Sequence, residues 1–289
     1  MTYSIVARDK STGLLGVAVQ SHYFSVGSVV TWARAGVGAV ATQSFAEPSY
    51  GALGLELMSS GKSAADALNS LLSIDPMREL RQVAMVDSRG NVAVHTGKEC
   101  IPWAGHATGE GFSVQANLMS NDTIWGAMKD AYQANLSLPF AERLAQTLLA
   151  AERAGGDIRG SQSAAILIVE PTVYPNAWMG RVLELRVEDH PNPVEELIRL
   201  IKLKRAYEWA DKGEQLLLEG KYDESLKAYE ESVKFAELDE LKYWRAISLL
   251  RVKRKDEAQK ILDELYAKSQ NWKTLTQLMV WSGRLKLDD

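Results

Sequence analysis

Residue 2 of the chain is a threonine that directly follows the initiator methionine, in the segment MTYSIVARD. If an aminopeptidase removes Met1, Thr2 carries a hydroxyl nucleophile and a free α-amine in one residue. The ordinary pKa of an α-amine is about 7.7–8.0, so about one-tenth to one-sixth of it is neutral at pH 7 and can accept the hydroxyl proton. This pattern predicts an N-terminal threonine nucleophile that needs no histidine. The alternative is an ordinary strand residue, since threonine is common in strands.

The sequence offers no competing catalytic motif of a common type. Phosphate-binding loops, dinucleotide-binding loops, zinc-protease motifs and GxSxG elbows are absent. Cys100 is the only cysteine, which excludes an intrachain disulfide and a cysteine-based zinc cluster. We therefore predict no metal and no cofactor. The histidines lie in separate segments without an obvious nucleophile partner and are interpreted as turn or core residues: His22, His95, His106 and His190.

The composition is that of a globular protein, with 46% hydrophobic and 24% charged residues in a chain of 289. No apolar run approaches the ~18 residues of a membrane span, and the N-terminus lacks the basic and apolar regions of a secretion signal. We therefore expect a cytoplasmic protein without membrane contact. The net charge of −4 and the lack of a basic stripe argue against a nucleic-acid partner.

Two kinds of hydrophobic periodicity divide the chain into a domain at 1–192 and a helical domain at 193–289. In the first, period-2 and helical segments follow in the order four strands, two helices, three strands, two helices, two strands. Several strands, such as AAILIV, are apolar at nearly every position, so both of their faces are expected to be buried. This predicts an α+β fold in four layers, αββα, with two sheets face to face and helices outside. Residues 27–34 are predicted as one strand, and the glycine-rich segment 105–111 as a flexible loop.

The helical domain follows two prolines in DHPNPVEEL and has no strand signal. The segment WADKGEQLLLEGKYDESLKAYEES has the spacing of a tetratricopeptide repeat, and a weaker copy follows about 33 residues later. Because such arrays usually need at least three repeats, we expect this domain to lean on the first domain or on another subunit, which predicts a homo-oligomer. A groove for a peptide or protein partner and a plain helical appendage that stabilises a dimer both stay open.

Several separated motifs make about residues 1–195 resemble the family called domain of unknown function 1028 (DUF1028). The motifs are TxSIVARD, LGVAVQS, WARAGVGAVATQ, IPWAGHATGEGFSVQAN, GGDIRGSQSAA and LRVEDHPNPVEEL. That family is similar in fold to the N-terminal nucleophile hydrolases. The resemblance therefore implies an αββα sandwich of that type, with Thr2 as the nucleophile at the start of the first strand. It implies hydrolysis of an amide bond in a small molecule or peptide.

The resemblance also implies positions for the other site residues. Asp157, in GGDIRGSQS, lies where such enzymes hold a carboxylate near the α-amine, and Arg34 is the basic residue nearest to their third-strand lysine. The turn after the fourth strand would offer a backbone N–H of Gln43 or Ser44 to an oxyanion. The remaining predicted oxyanion and substrate-binding positions are Gln20, Asn117 and Gln162.

Two positions depart from the proteasome-like members, because Gln20 stands near their aspartate and Arg34 near their lysine. Arginine does not shuttle a proton and glutamine cannot pair with it ionically, which argues against proteasome-like peptidase chemistry. Asp157 and Arg159 can also be interpreted as a surface ion pair. Glu47 is interpreted as a residue at the entry of a helix. Gln20 could equally be a buried amide that satisfies strand ends. A non-catalytic scaffold whose helical domain binds a partner is therefore the second hypothesis.

Overall fold

The structure, a computed structural model, describes residues 2–176 and 178–285. Within this part, the strands are β1 (Thr2–Arg8), β2 (Leu15–Ser21), β3 (Thr31–Arg34), β4 (Gly38–Ser44), β5 (Arg81–Asp87), β6 (Val92–Thr96), β7 (Gly105–Gly109), β8 (Phe112–Asn117), β9 (Ser163–Val169) and β10 (Arg181–Val187). The helices are α1 (Gly27–Val30), α2 (Ser49–Ser59), α3 (Ala64–Ile74), α4 (Ile124–Ala134), α5 (Phe140–Arg153), α6 (Pro193–Leu218), α7 (Tyr222–Phe235), α8 (Asp239–Arg251), α9 (Lys255–Lys268) and α10 (Gln270–Trp281). The chain divides into two compact units between Arg199 and Leu200.

The strands form two antiparallel sheets. The first sheet has six strands in the order β10-β9-β2-β1-β8-β7, and the second has four in the order β3-β4-β5-β6. β1 lies at the centre of the first sheet, where Thr2 pairs with Ser21 of β2 and with Asn117 of β8. Since side chains alternate along a strand, Thr2 and Ser4 face the second sheet whereas Tyr3 faces the opposite way.

The sheets pack face to face, and the helices cover their outer faces. α2 and α3 pack on the second sheet, and α4 and α5 pack on the first. Strand β9, SAAILIV, is buried at every position, as expected for a strand covered on both sides. The mixed α+β class with antiparallel sheets and the helical C-terminal region, both predicted from the sequence, are confirmed. Valines and alanines of both sheets form the core between them, among them Val6, Val17, Val19, Ala39, Ala41 and Val86.

The prediction of one strand over residues 27–34 is wrong. Residues 27–30 form the helical turn α1, and β3 is only the four residues that follow. The Thr31 hydroxyl donates to the Gly27 carbonyl at 2.8 Å, a bond across four residues that suits a helical turn. A Cβ at Gly27 would lie 2.5 Å from the Ala165 side chain, so glycine lets this turn lie close against β9. Tertiary packing thus overrides the strand preference of Val29 and Val30.

The prediction of a flexible loop over residues 105–111 is also wrong. Residues 105–109 form β7, which pairs with β8, and Gly111 makes the turn at φ +75°. A Cβ at Gly105 would lie 2.6 Å from the Trp125 ring. The glycine therefore serves close packing of α4 on the sheet edge rather than flexibility.

The C-terminal unit consists of helices in the described residues up to 285. The Ser225 hydroxyl of α7 donates to the Gly213 carbonyl of α6 at 2.7 Å, and the Ser232 hydroxyl donates to the Ala206 carbonyl at 2.7 Å. A Cβ at Gly213 would lie 2.9 Å from the Tyr229 ring. Small and hydroxyl residues thus let these two helices approach each other closely.

Candidate active site

Thr2 is the first residue of β1, and its hydroxyl points between the two sheets. The side chain is buried, with 6% of the residue exposed. Thr2 Oγ1 donates a hydrogen bond of 3.0 Å to Ser21 Oγ, the residue opposite it on β2. The hydroxyl is therefore held in a defined direction by a second hydroxyl, which can accept or relay a proton. Met1, whose removal the threonine hypothesis requires, lies outside the described residues.

A buried amide network holds the carbonyl of Thr2. Gln43 Nε2 and Asn117 Nδ2 donate to this carbonyl oxygen at 3.2 and 3.3 Å. The same two amide nitrogens donate to Gln82 Oε1 at 2.8 and 2.9 Å. Gln43 Oε1 in turn accepts from Ser4 Oγ at 2.6 Å. Unpaired polar groups are costly in a protein interior, so this network of hydrogen bonds holds the two sheets in a fixed relative position at Thr2.

A cleft of about 360 Å³ opens beside Thr2. It exists because β3 pairs with β4 only from Thr31, opposite Ala41, onwards, so the end of β4 has a strand neighbour on one side only. The turn α1 lies in place of a longer β3. The described residues that line the cleft are Thr2, Ser21, Tyr23, Val26, Val29, Val30, Gln43, Ser44, Phe45, Ala46 and Arg159.

The turn after β4 presents backbone to this cleft. Ser44 has a φ of +72°, a left-handed conformation that costs a non-glycine residue roughly 1–2 kcal/mol. Such local strain is concentrated at functional sites. Ala46, two residues on, has a backbone N–H for which no described residue provides an acceptor. A cleft-lining residue of this turn therefore carries a backbone N–H without an acceptor in the described chain, and backbone N–H groups are the donors that stabilise oxyanions.

Asp157 forms a buried ion pair with Arg159 at the N-terminal end of β1. Arg159 Nη2 and Nε donate to the two carboxylate oxygens at 2.9 and 3.1 Å. The Asp157 side chain is fully buried, whereas 36% of the Arg159 side chain is exposed. Burial alone would raise the pKa of Asp157, but the side-chain and backbone N–H groups of Arg159 and the His22 N–H hold that pKa below its usual value. The interpretation of this pair as a surface contact is therefore wrong for the carboxylate.

Asp157 lies beyond the N-terminal end of β1, close to Thr2. Its Oδ2 accepts from the backbone N–H of His22 at 3.2 Å, and His22 directly follows the residue that pairs with Thr2. Asp157 also forms a β-bridge with Met119, two residues after Asn117. The carboxylate is thus at the end of the first sheet where β1 begins.

The structure brings together part of the predicted site and leaves the rest apart. Thr2, Gln43, Ser44 and Asn117 are neighbours, and Asp157 lies next to them. Gln43 contributes its side-chain amide, which the sequence did not indicate.

Gln20 and Arg34 lie elsewhere. Gln20 pairs with Tyr3, so its side chain lies on the other face of the first sheet from Thr2. It is fully buried, and neither amide atom has a hydrogen-bond partner among the described residues. Arg34 pairs with Gly38 at the far end of β4, about 17 Å along the strand from Gln43.

Gln162 and Glu47 have structural contacts outside the cleft lining. The backbone N–H of Gln162 donates to the Ser21 carbonyl at 3.2 Å, but its side-chain amide donates to Asp189 at 3.2 Å. Glu47 Oε1 accepts from the backbone N–H of Ser49, the first residue of α2, at 3.1 Å. The interpretation of Glu47 as a helix-entry residue is therefore confirmed.

Sequence reasoning missed Ser21, Gln82 and the valines of the cleft wall. Ser21 could have been found from strand alternation, because Val17, Val19 and Ser21 share one face of β2 while Gln20 lies on the other. Gln82 gave no such signal, since it is a single amide at the start of a buried strand. No group of three or more histidine, cysteine, aspartate or glutamate side chains able to hold a metal occurs among residues 2–176 and 178–285. None of the helices described there is both long enough and apolar enough to cross a membrane.

Comparisons with known proteins place this geometry in a family. No curated protein matches the chain. In the crystal structure of protein SPO2555 from Silicibacter pomeroyi, a protein assigned to the DUF1028 family model, the matched region has 32% identity and a TM-score of 0.62, and covers 70% of this chain and 88% of that one. Anbu (ancestral beta-subunit) from Yersinia bercovieri has 11% identity and a TM-score of 0.34, with 68% of this chain and 90% of that one covered. The model of the DUF1028 family, a family of unknown function, matches residues 2–197, and the chain therefore belongs to the DUF1028 family.

Proposed function

We propose that the chain is an N-terminal nucleophile hydrolase that cleaves an amide bond with Thr2 after Met1 has been removed. The observation that carries the proposal is the position of the Thr2 hydroxyl, which lines a cleft and donates to Ser21 Oγ at 3.0 Å. A buried threonine without adjacent space could not reach a substrate carbonyl. Here the hydroxyl, a cleft and a strained turn lie together.

The proposed reaction uses groups of the chain alone. Thr2 Oγ attacks the carbonyl carbon, and its proton passes to the neutral α-amine of the same residue, directly or through Ser21. The C–N bond of the substrate then breaks, and the leaving amine takes that proton. Water attacks the ester on Thr2, the ester C–O bond breaks, and the acid leaves while the threonine hydroxyl is restored.

The turn after β4 would stabilise the charge that develops on the carbonyl oxygen. Ala46 lines the cleft and its N–H has no acceptor in the described chain, and the end of β4 at Gln43 and Ser44 has one edge without a strand partner. Donors fixed in advance at the oxyanion position are worth about 2.7–4 kcal/mol each in other enzymes. The amide network beneath Thr2 keeps this geometry rigid.

Asp157 and Arg159 would set the charge around the α-amine. A lone carboxylate would hold the amine in its protonated form and raise its pKa, which would remove the base. Because Arg159 pairs with Asp157 through two nitrogen–oxygen contacts, the pair adds little net charge. The α-amine is then not held in its protonated form by an uncompensated carboxylate and can act as a base.

The test is mass spectrometry on protein purified from its native cells, before and after treatment with a β-lactone. We expect the intact mass to lack Met1 and the lactone to add once, on the Thr2 peptide. The Thr2→Ala variant should show no adduct. Retention of Met1, or an adduct only at another residue, would contradict the proposal, and retention of Met1 without any adduct would favour the scaffold hypothesis for this chain.

A further inference from the structure

The walls of the cleft beside Thr2 are apolar and aromatic. Val26, Val29 and Val30 come from the turn α1 and the residue before it, and Ala46 comes from the turn after β4. Two aromatic side chains at the opening are exposed, Tyr23 by 56% and Phe45 by 59%. Large apolar side chains exposed next to one another commonly mark a binding site.

Both walls are held in place by buried polar contacts. Ser163 Oγ donates to the Tyr23 carbonyl at 2.5 Å and accepts from the Val26 N–H at 3.0 Å, which ties this loop to β9. On the other side, Arg81 Nη1 donates to the Phe45 carbonyl at 2.7 Å, and the guanidinium lies 5.3 Å from the centre of the Phe45 ring. Arg81 is itself buried and pairs with Asp75 at 2.9 Å. The backbone at Tyr23 and the Phe45 residue are therefore held in place without a substrate.

The charge of the lining also favours an uncharged occupant. Arg159 is the one charged side chain among the described residues that line the cleft, and its charge is balanced by Asp157. An ionised substituent placed against this lining would lose water without gaining a free opposite charge. A volume of about 360 Å³ lies near the lower limit of small-molecule sites.

We propose that this cleft binds an uncharged apolar substituent next to the scissile carbonyl, so that the substrate is a small amide with an aliphatic or aromatic acyl group. This inference rests on the proposed function, because it assigns the acyl subsite of the same nucleophile. Val29 and Phe45 act as specificity residues, since they line the space that the acyl substituent would occupy.

The test uses four β-lactones that share one ring and differ only in the substituent beside the carbonyl: benzyl, isobutyl, carboxyethyl and aminobutyl. Thr2 Oγ would attack the lactone carbonyl, the ring C–O bond would break, and the ring oxygen would take the hydroxyl proton, so the adduct mass equals the whole lactone. We expect the benzyl and isobutyl compounds to label Thr2 at least about tenfold faster than the two charged ones.

Two variants place a negative charge on the walls, Phe45→Glu and Val29→Asp, and Ile74→Glu is the matched control. Phe45 is exposed and Val29 is half-buried, so at least one of these variants is expected to fold. Each should lower the ratio of benzyl to aminobutyl labelling at least about tenfold. Ile74, which is 75% exposed at the end of α3 and does not line the cleft, should leave the ratio unchanged.

The outcomes separate the two proposals. Equal labelling by all four lactones, or fastest labelling by a charged one, would overturn the acyl-group inference while the nucleophile proposal stands. Absence of labelling at Thr2 by every compound would overturn both. Preference for the apolar lactones that falls in the two wall variants and not in the control would support the assignment.

Discussion

Two clefts of about 360 Å³ each lie at opposite ends of β1, one beside Thr2 and one beside Arg8 and Asp9. They have the same volume and different chemistry. The cleft at Thr2 is lined by apolar groups, hydroxyls and one paired arginine. The other is lined by several charged side chains, namely Arg8, Asp9, Lys10, Glu110 and Arg143. Volume therefore does not distinguish the two, and the nature of the lining groups does.

Each end of β1 also carries an aspartate–arginine pair, and the two pairs differ in burial. Asp9 and Arg143 are 3.0 Å apart with side chains 4% and 5% exposed. Arg143 further donates to the carbonyls of Leu136 and Leu138, each at 3.1 Å. Arg159, in contrast, is one-third exposed at a cleft opening. A pair with both side chains buried stabilises the fold, whereas a pair whose arginine is one-third exposed can contact a group that enters the cleft.

The largest expected effect is on labelling, when the hydroxyls at the two ends of β1 are removed in turn. Thr2→Ala should lower the rate of labelling by a benzyl β-lactone by at least about 10³-fold, because the attacking oxygen is gone. Thr2→Ser retains that oxygen and should keep measurable labelling. Ser11→Ala removes a hydroxyl from the cleft at Asp9 and serves as the matched control. A rate for Thr2→Ala within tenfold of the Ser11→Ala rate would remove the functional distinction between the two ends.

The second effect concerns stability, for which we expect the ion pair at the Asp9 end of β1 to matter more than the pair at the Thr2 end. Arg143→Met should lower the free energy of unfolding by about 3–5 kcal/mol, because Asp9 stays buried without its charge partner. Arg159→Met should cost about 1–2 kcal/mol, since Asp157 keeps the backbone N–H groups of His22 and residue 159. Urea denaturation followed by near-UV circular dichroism would measure both values. Equal losses would show that the exposed arginine is as structural as the buried one.

The third effect is a change in the pH dependence of labelling. With the α-amine as base, the rate should rise with pH through about 7.7–8.0 and then level off. The charged groups near the start of β1 are the Asp157–Arg159 pair and the carboxylate of Glu152, which accepts from the Tyr3 hydroxyl. Arg159→Met leaves the Asp157 carboxylate uncompensated, which favours the protonated amine and raises its pKa. The midpoint of the profile should therefore move to higher pH by about one unit.

Lys10→Met is the control for this shift, because it removes the same charge at the other end of β1, where Lys10 pairs with Glu110 and is 82% exposed. Its profile should match that of the unmodified protein. A downward shift in Arg159→Met, or the same shift in both variants, would contradict the assignment of the α-amine as the base.

The sequence predicted the layout of the first unit well because period-2 alternation and helix signals reflect burial directly. Ser63, which directly precedes α3, accepts from the Asp66 N–H at 3.1 Å as the N-cap of that helix. The predicted site was less accurate where it depended on the direction of a side chain or on contacts distant in sequence. Gln20 and Ser21 are adjacent in sequence and lie on opposite faces of the sheet.

The segment 27–34 shows why the cleft itself could not be predicted. Its valines favour a strand by propensity, but Gly27 lets the turn α1 pack against Ala165, 138 residues later. The shortened β3 leaves the end of β4 uncovered and creates the space beside Thr2. A local pattern contains no information about that contact, so the feature most relevant to function depends on tertiary packing.

The smallest effect tests whether the strained backbone at Ser44 contributes to the reactivity of Thr2 or is only a structural feature of the turn. Ser44→Gly should raise the free energy of unfolding by at most about 1 kcal/mol, because glycine adopts φ +72° without a Cβ clash but loses more backbone entropy on folding. Lys253→Gly replaces another left-handed residue, at φ +64° in the C-terminal unit, and should give a similar gain. Only Ser44→Gly should slow labelling of Thr2, by about threefold to tenfold, because a more mobile turn holds its N–H groups less firmly at the oxyanion position. If both variants gain stability and neither changes the labelling rate, the turn after β4 is a structural feature, and the oxyanion donors must be sought on the other wall of the cleft.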